Sequence, residues 1–127
     1  MDLSNRTNSR SEAVKRIYSY EISSDIKYDE LDEFALFLVK GVIDRLEEID
    51  EIISANLFNY TINRLNLVDL AIIRIATLEL IEGKLEKQII INEAIELTKI
   101  YTNLDDDKAK AFNNKLLDNI AKYLESR

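Results

Sequence analysis

VDLAIIRIATLEL, residues Val68 to Leu80, is the stretch that decides the fold of this 127-residue chain. Apolar side chains surround its helical axis, which predicts a helix buried in the middle of a domain. A second segment, INEAIELTKIY at residues 91–101, has an apolar face at helical spacing and is expected to lie across the first. Between them, Gly83 fits the C-terminal cap of the first helix, and the β-branched run at residues 88–90 is predicted to be extended.

Apolar residues recur at intervals of three and four in two further regions. Between Leu31 and Ile53 this spacing predicts one long helix or two consecutive helices, with Gly41 at a close helix contact because the periodicity continues through it. A last helix is predicted after the acidic run at residues 105–107, on a face that includes Phe112. The chain is therefore predicted to be all-α, a compact helical bundle of about six or seven helices.

The N-terminal boundary is predicted from a capping-box pattern formed by Ser9 and Glu12. We expect the first helix to begin at Ser9. Residues 1–8 are then a flexible basic segment, and residues 9–127 form a single helical domain, which is an ordinary size for one hydrophobic core.

Composition excludes several classes of function. The chain has no Cys and no His, which removes disulfides, zinc-thiolate sites and the commonest general base. No catalytic residue, metal site or cofactor is predicted, and no enzymatic activity is expected. The run at residues 105–107 lacks the Gly and the distal Glu of a calcium loop, so helix capping accounts for it better. Charges interrupt every apolar stretch long enough to span a bilayer, so we expect a cytoplasmic protein without membrane contact.

Charge is distributed unevenly along the chain. The formal net charge is −7, which argues against indiscriminate binding to nucleic acid. Residues 1–20 hold four basic and two acidic side chains and so carry +2, which leaves −9 for residues 21–127. The basic N-terminal end is where a polyanion would bind.

These segments resemble the signature of the NusB family. Arg74 lies inside the buried helix, and Asn92 with Glu93 opens the next one, as in that family. The FNNKLLD segment at residues 112–118 resembles the family's FVNGVLD segment. The residues that resemble the family's basic first helix are Arg6, Arg10, Ala13 and Tyr18.

NusB proteins are transcription antitermination factors, and the resemblance implies the same role here. By that resemblance the chain would bind the single-stranded boxA RNA of ribosomal RNA operons together with the ribosomal protein NusE. The assembly would then join an antitermination complex on RNA polymerase. The RNA-binding residues expected from basic character, aromatic neighbours and the resemblance are Arg6, Arg10, Lys15, Arg16, Tyr18, Lys110, Phe112 and Asn114.

Each of these residues also has a purely structural interpretation. Arg6 and Arg10 could belong to a solvated tail, and Tyr18 could be an ordinary core tyrosine; the resemblance favours RNA contacts for all three. Arg74 is expected to be a structural buried charge, since a buried guanidinium needs a carboxylate partner. Candidate partners for Arg74 are Asp69, Glu93 and Glu96.

Departures from the family leave other functions open. Residues 7–9 are Thr, Asn and Ser where more arginines are usual, the segment before Phe112 is longer, and Lys115 replaces a Gly. One alternative is therefore a scaffold that binds NusE with weak or no specific RNA binding. NusB-like domains also occur fused to rRNA methyltransferases, but this chain has only two Gly residues and no Rossmann-type cofactor loop. The oligomeric state is expected to be a monomer or a homodimer.

Overall fold

The computed structural model describes residues 3–102 and 107–127. Within these residues the regular secondary structure is entirely helical, with six α-helices and one 3-10 helix and no strand, so the predicted all-α bundle is confirmed. The elements in chain order are α1 (Leu3–Ser23), α2 (Glu33–Asp44), α3 (Leu46–Ala55), the 3-10 helix (Ile62–Arg64), α4 (Leu67–Glu82), α5 (Lys87–Tyr101) and α6 (Lys108–Ser126).

Helix α4 is the centre of the bundle. Every residue from 70 to 79 is buried, and α4 packs against α1, α2, α3, α5 and α6. Complete burial of one Leu or Ile side chain contributes about 1.5–3 kcal/mol, so this helix supplies much of the stabilising apolar burial. None of the helices in the described part of the chain is long and apolar enough to cross a membrane.

Both ends of α4 follow local sequence signals. Asn66 is the N-cap, and its side-chain oxygen accepts hydrogen bonds from the backbone N–H groups of Val68 and Asp69 at 2.9 and 3.2 Å. At the other end Gly83 has a φ of +65° and donates its N–H to the carbonyl of Glu79. Gly is favoured there because it has no Cβ to strain the left-handed conformation. The predicted Gly83 cap is confirmed.

The apolar pattern between Leu31 and Ile53 forms two consecutive helices rather than one. The break lies at Arg45, whose backbone leaves the helical region with φ −116° and ψ 22°. Gly41 lies where α2 meets α4: a Cβ built on it would be 2.6 Å from one terminal methyl carbon of Leu78. The expected close helix contact at Gly41 is confirmed.

Helix α1 begins earlier than the capping-box pattern indicates. It starts at Leu3, so Ser9 lies inside the helix and its hydroxyl donates to the carbonyl of Asn5 and to Oδ2 of Asp32. The predicted start at Ser9 is wrong because tertiary contacts of Ser9 and its neighbours hold the preceding turns against α2. The single-domain organisation and the flexibility of the N-terminal segment stay predictions.

Two other local predictions concern residues 88–90 and the acidic run at residues 105–107. Residues 88–90 are helical, and the predicted extended conformation is wrong. Ile90 and Ile91 are buried in the core, and this burial outweighs the weak preference of β-branched residues for strands.

Of the acidic run, Asp105 and Asp106 lie outside the described residues. Asp107 occupies the N-cap position of α6 in the left-handed region, with no side-chain hydrogen bond to the first turn.

Candidate nucleic-acid interface

Lys15 lies on the solvent-facing side of α1, and Tyr18, three residues further on, lies at the margin of its buried side. Lys15 is exposed, and its ammonium group is 3.4 Å from the carboxylate of Glu12. Such an exposed pair is weak and exchanges easily with water or another anion. Tyr18 is half-buried and packs at the edge of the core. A cation beside a partly exposed aromatic ring is a suitable arrangement for an RNA phosphate and its base.

Arg6 is half-buried at the N-terminal end of α1. Its guanidinium carbon lies 4.0 Å from the centroid of the Phe34 ring on α2, within the range of a cation–π interaction. The contact fixes the side chain against α2 and keeps its positive charge near the surface.

Arg10 is inside the protein, with only 2% of its surface exposed. Its guanidinium donates two hydrogen bonds to the carboxylate of Glu79 at 2.8 and 2.9 Å and a third to Glu93 at 2.9 Å. Burial alone would lower the pKa of Arg10, but hydrogen bonds and charges from Glu79 and Glu93 outweigh it and raise the pKa. Thr7 also donates to Glu93. The structure therefore places Arg10 in a buried cluster that joins α1, α4 and α5.

Arg16 is held by the connection between α1 and α2. Its two terminal nitrogens donate to the backbone carbonyls of Lys27 and Asp29 at 2.7 and 2.8 Å. These bonds fasten an irregular segment to α1. They use two of the five guanidinium N–H groups, and 22% of the Arg16 side chain is exposed.

The three predicted residues of α6 do not share one side of that helix. Successive residues of an α-helix are 100° apart, so Lys110 and Asn114 point nearly opposite to Phe112. Asn114 and Phe112 are both exposed, and Lys110 is half-buried. Between them Asn113 is buried and donates to Oδ1 of Asp69 and to the hydroxyl of Thr98. Asn113 thereby anchors the start of α6 to α4 and α5.

Arg74 is a structural buried charge, as predicted, but its partners were not predicted correctly. Its guanidinium forms two hydrogen bonds with Asp50 at 2.9 and 2.8 Å and an ion pair with Glu21 at 2.8 Å. Burial opposes the charge, but Asp50 and then Glu21 outweigh it and raise the pKa of Arg74.

The three carboxylates expected beside Arg74 have other contacts. Asp69 accepts hydrogen bonds from Thr102 and Asn113. Glu93 accepts from Arg10, and Glu96 pairs with Lys99 on the surface. The actual partners of Arg74 come from α1 and α3, and the spacing of residues along α4 and α5 contains no information about them.

The sequence model of the NusB family matches residues 4–122. This chain belongs to the NusB family. A transcription antitermination protein NusB of Aliarcobacter butzleri is 38% identical over 133 aligned residues, covering 94% of this chain and 99% of that relative.

Solved structures of NusB proteins have the same fold. NusB of T. maritima is 31% identical and superimposes with a TM-score of 0.79, covering 92% of this chain and 90% of that one. A second chain, 28% identical with a TM-score of 0.81, comes from a crystal structure of the antitermination factors NusB and NusE in complex with dsRNA. The structural match covers 96% of this chain and 99% of that second chain. The family's role, transcription antitermination, is regulatory rather than enzymatic.

Two sets of residues in this NusB-family chain have positions that were not predicted from the sequence. Of the partners of Arg10, Glu79 gave no signal beyond its being an acidic residue in a predicted helix, and Glu93 was expected beside Arg74 rather than Arg10. The second set lies around Phe112, where the Tyr60 ring is 5.6 Å from the Phe112 ring. Its signal was available: Phe58 and Tyr60 are two aromatic residues in an otherwise Asn-rich connection.

Proposed function

We propose that this NusB-family chain is a transcription antitermination factor that binds boxA RNA together with NusE and joins an antitermination complex on RNA polymerase. The observation that carries the proposal is the family match over nearly the whole chain. A relative of the same fold occurs in a structure with NusE and RNA, which supports both partners for this chain.

On α1, the proposed RNA surface consists of Arg6, Lys15 and Tyr18. The cations would attract phosphates, and the aromatic ring would stack on an unpaired base. We assign Arg10 and Arg16 a positioning role, because their guanidinium groups bind carboxylates and backbone carbonyls. On this assignment they hold α1 in place rather than contact RNA.

On α6, the proposed RNA contacts are Lys110, Phe112 and Asn114. Because Lys110 and Asn114 point away from Phe112, one strand would have to pass over the start of α6 to reach all three. The buried hydrogen bonds of Asn113 keep that end of α6 fixed. A fixed end lowers the entropy cost of binding an RNA strand there.

The proposed NusE surface includes the acidic side of α3. Glu47 and Glu51 are exposed there, while Glu48 pairs with Arg45. A basic ribosomal protein would be attracted to this surface, which would speed its encounter with the chain. RNA would then bind to two surfaces in one assembly and so more tightly than to either protein alone.

A second candidate is a NusE-binding scaffold with weak RNA binding. The observation that favours it is the burial of Arg10 together with the backbone hydrogen bonds of Arg16. Only Arg6 and Lys15 then remain on α1 as cations for RNA. Each missing phosphate contact weakens binding and reduces its salt dependence.

Fluorescence anisotropy with a boxA-type RNA and a scrambled control, with and without NusE and over a salt series, tests the proposal. We expect the wild type to prefer the boxA-type RNA and NusE to strengthen this preference. Lys15→Glu should weaken RNA binding, whereas Lys99→Glu, on the exposed side of α5, should not. NusE binding without any RNA preference would favour the scaffold, and binding of neither partner would contradict both functions.

A further inference from the structure

A groove lies between residues 56–60 and α6, with a volume of about 370 Å³. Its walls are mostly apolar, with amide groups and one ammonium group at the edge. From the sequence we expect RNA contact at Phe112, with positive charge beside it from Lys108, Lys110 and Lys115. Of these four residues, Phe112 and Lys115 line the groove. The lining residues used below are Phe58, Tyr60, Phe112, Lys115 and Asn119.

Three aromatic rings of this groove face solvent. Phe58 has 72% of its surface exposed, and Tyr60 and Phe112 are also exposed. The Tyr60 and Phe112 rings are tilted by 55° with centroids 5.6 Å apart. The Tyr60 hydroxyl donates to the carbonyl of Arg64, and the Arg64 guanidinium lies 5.0 Å from the Tyr60 ring centroid. The rings are thus partly fixed in position, and an apolar surface of this kind gains free energy when a ligand covers it.

A row of lysines runs along the same side of α6. Lys108, Lys115 and Lys122 are seven residues apart, and Phe112 and Asn119 lie between them at the helical intervals that share a face. Among the described residues, no ion pair joins any of these three lysines to a carboxylate. By contrast, Lys15, Lys87 and Lys99 each pair with a glutamate.

One charged residue, Lys115, lines the groove in a protein whose net charge is −7. No residue that lines it is Asp or Glu. The grooves beside α3, in comparison, are lined by Asp50, Glu47 and Glu51. The net negative charge of the protein would therefore repel an anion, and the repulsion would be weaker at this groove than beside α3.

We propose that this groove holds an unstacked base of single-stranded RNA, with the flanking phosphates on the lysine row and on Arg64. Phe58 and Phe112 supply the stacking surfaces, and Tyr60 holds Phe112 in orientation. Asn119 supplies an amide that can donate to or accept from a base edge. The proposal rests on the RNA-binding role proposed above and adds a base pocket to it.

The charge decides between RNA and a protein occupant. Exposed aromatic rings alone would suit either, since both a base and an apolar side chain cover a ring well. A basic ribosomal protein would be repelled by Lys108, Lys115 and Lys122. A polyanion with flat, unpaired bases satisfies both the rings and the lysines.

The test uses single-stranded boxA-type RNA carrying 2-aminopurine at successive positions, whose fluorescence is quenched when the base stacks. The variants are Phe112→Leu and Tyr60→Leu, which keep an apolar side chain, and Lys115→Ala. The matched controls are Tyr28→Leu and Lys40→Ala, which alter another tyrosine–lysine pair with 5.5 Å between the ammonium and the ring centroid. Thermal unfolding of every variant checks that the fold is kept.

We expect one 2-aminopurine position to be quenched by the wild type and released by Phe112→Leu. Phe112→Leu should weaken RNA binding about tenfold, since stacking is worth about 1–3 kcal/mol per base. Tyr60→Leu should weaken it less, because the Tyr60 ring orients Phe112 and does not itself stack on the base. Lys115→Ala should reduce the slope of log affinity against log salt by about 0.7. The controls should bind like the wild type.

Three results would overturn the base pocket. If the wild type binds RNA and folded groove variants bind equally well, with no quenched position, the pocket is wrong while the RNA-binding function stands. If the variants lose NusE affinity and keep RNA affinity, the groove is a protein interface. If the wild type binds no RNA with or without NusE, the proposed function fails, and the pocket fails with it.

Discussion

Two buried arginines show how single residues join the helices of this bundle. Arg10 joins α1 to α4 and α5 through Glu79 and Glu93, and Arg74 joins α4 to α1 and α3 through Glu21 and Asp50. Each guanidinium forms two hydrogen bonds with one carboxylate. This geometry needs the planar guanidinium, which lysine does not have. Two arginines are thereby used to fix the positions of helices, although Arg10 looks in the sequence like a residue available for binding RNA.

Replacing Arg10 should affect stability more than RNA binding. Arg10→Met leaves Glu79 and Glu93 without their cation, and we expect the free energy of unfolding to fall by about 3–5 kcal/mol. Arg6→Met removes only a half-exposed cation–π contact and should cost about 0.5–1 kcal/mol. Urea unfolding measures both changes. Under conditions where both variants are folded, RNA affinity should fall for Arg6→Met and stay near wild type for Arg10→Met.

The opposite pattern would contradict the positioning role of Arg10. A variant Arg10→Met with the stability of the wild type and a large loss of RNA affinity would return Arg10 to the RNA surface.

Contacts between whole helices depend on small groups placed at the crossing points. Gly41 lets α2 approach α4 at Leu78. Asp32 caps α2 by accepting the N–H of Ala35 and also accepts the hydroxyl of Ser9 from α1. The Asp32 side chain therefore caps the N-terminus of α2 and also attaches α1 to it. Both devices act between elements, so their effects should appear as changes in the stability of the whole bundle.

Gly41→Ala should destabilise the protein although Ala is the better helix former by about 1 kcal/mol. The added methyl group would lie 2.6 Å from a buried Leu78 methyl carbon, and we expect overpacking to give a net loss of about 1–2 kcal/mol. A double-mutant cycle with Leu78→Ala, measured by urea unfolding, provides the control. The added methyl should cost less beside Ala, and strictly additive losses would exclude this contact as the cause.

Asp32 should make the stability of the protein depend on pH in acid. The hydrogen bond from Ser9, and then that from Ala35, hold the pKa of Asp32 below its ordinary value of 3.8. A lowered folded-state pKa gives stability that is present above the ordinary pKa and is lost as pH falls through the folded-state value. We expect Asp32→Asn, which keeps a capping oxygen, to lose less stability between neutral pH and pH of about 3 than the wild type.

Urea unfolding at the two pH values checks this expectation. Asp25→Asn, in the connection before α2, is the matched control and should behave as the wild type does. Identical acid sensitivity of Asp32→Asn and the wild type would show that Asp32 has no part in it.

At the scale of the whole molecule, acidic and basic side chains lie on different surfaces. Exposed acidic residues lie along α3. Lysines that form no ion pair within residues 3–102 and 107–127 lie along one side of α6, although the net charge is −7. A protein with this distribution can attract a basic partner and a polyanion at different places. The separation is consistent with the proposed assembly of this chain, NusE and RNA.

Association with NusE should therefore depend on salt. We expect the association rate constant to fall about tenfold or more between about 50 mM and about 500 mM salt, since the attraction is screened. Glu47→Lys with Glu51→Lys should lower the rate constant at low salt. Asp25→Lys with Asp118→Lys changes the net charge equally at other places and should have a smaller effect. Stopped-flow fluorescence measures these rates, and equal effects of the two pairs would rule out the α3 surface.

The sequence by itself determined the fold class and the family, but not every helix boundary. Helical periodicity, the all-apolar segment around Arg74 and the Gly83 cap are local signals, because helix formation and capping depend on neighbours within about four residues. These signals predicted the bundle, the buried α4 and the close contact at Gly41. They also predicted that Arg74 needed a carboxylate, since the cost of burying a charge does not depend on which residue pairs with it.

Only the tertiary structure decided which charges are paired and which are free. Arg10 binds Glu79, 69 positions away, and Arg74 binds Asp50 rather than its neighbours on α4 and α5. The same holds for Phe112 and Tyr60, which meet because α6 returns to the connection after α3. Pairing over such separations depends on how helices cross, and crossing is set by the packing of many side chains at once. No local pattern contains that information.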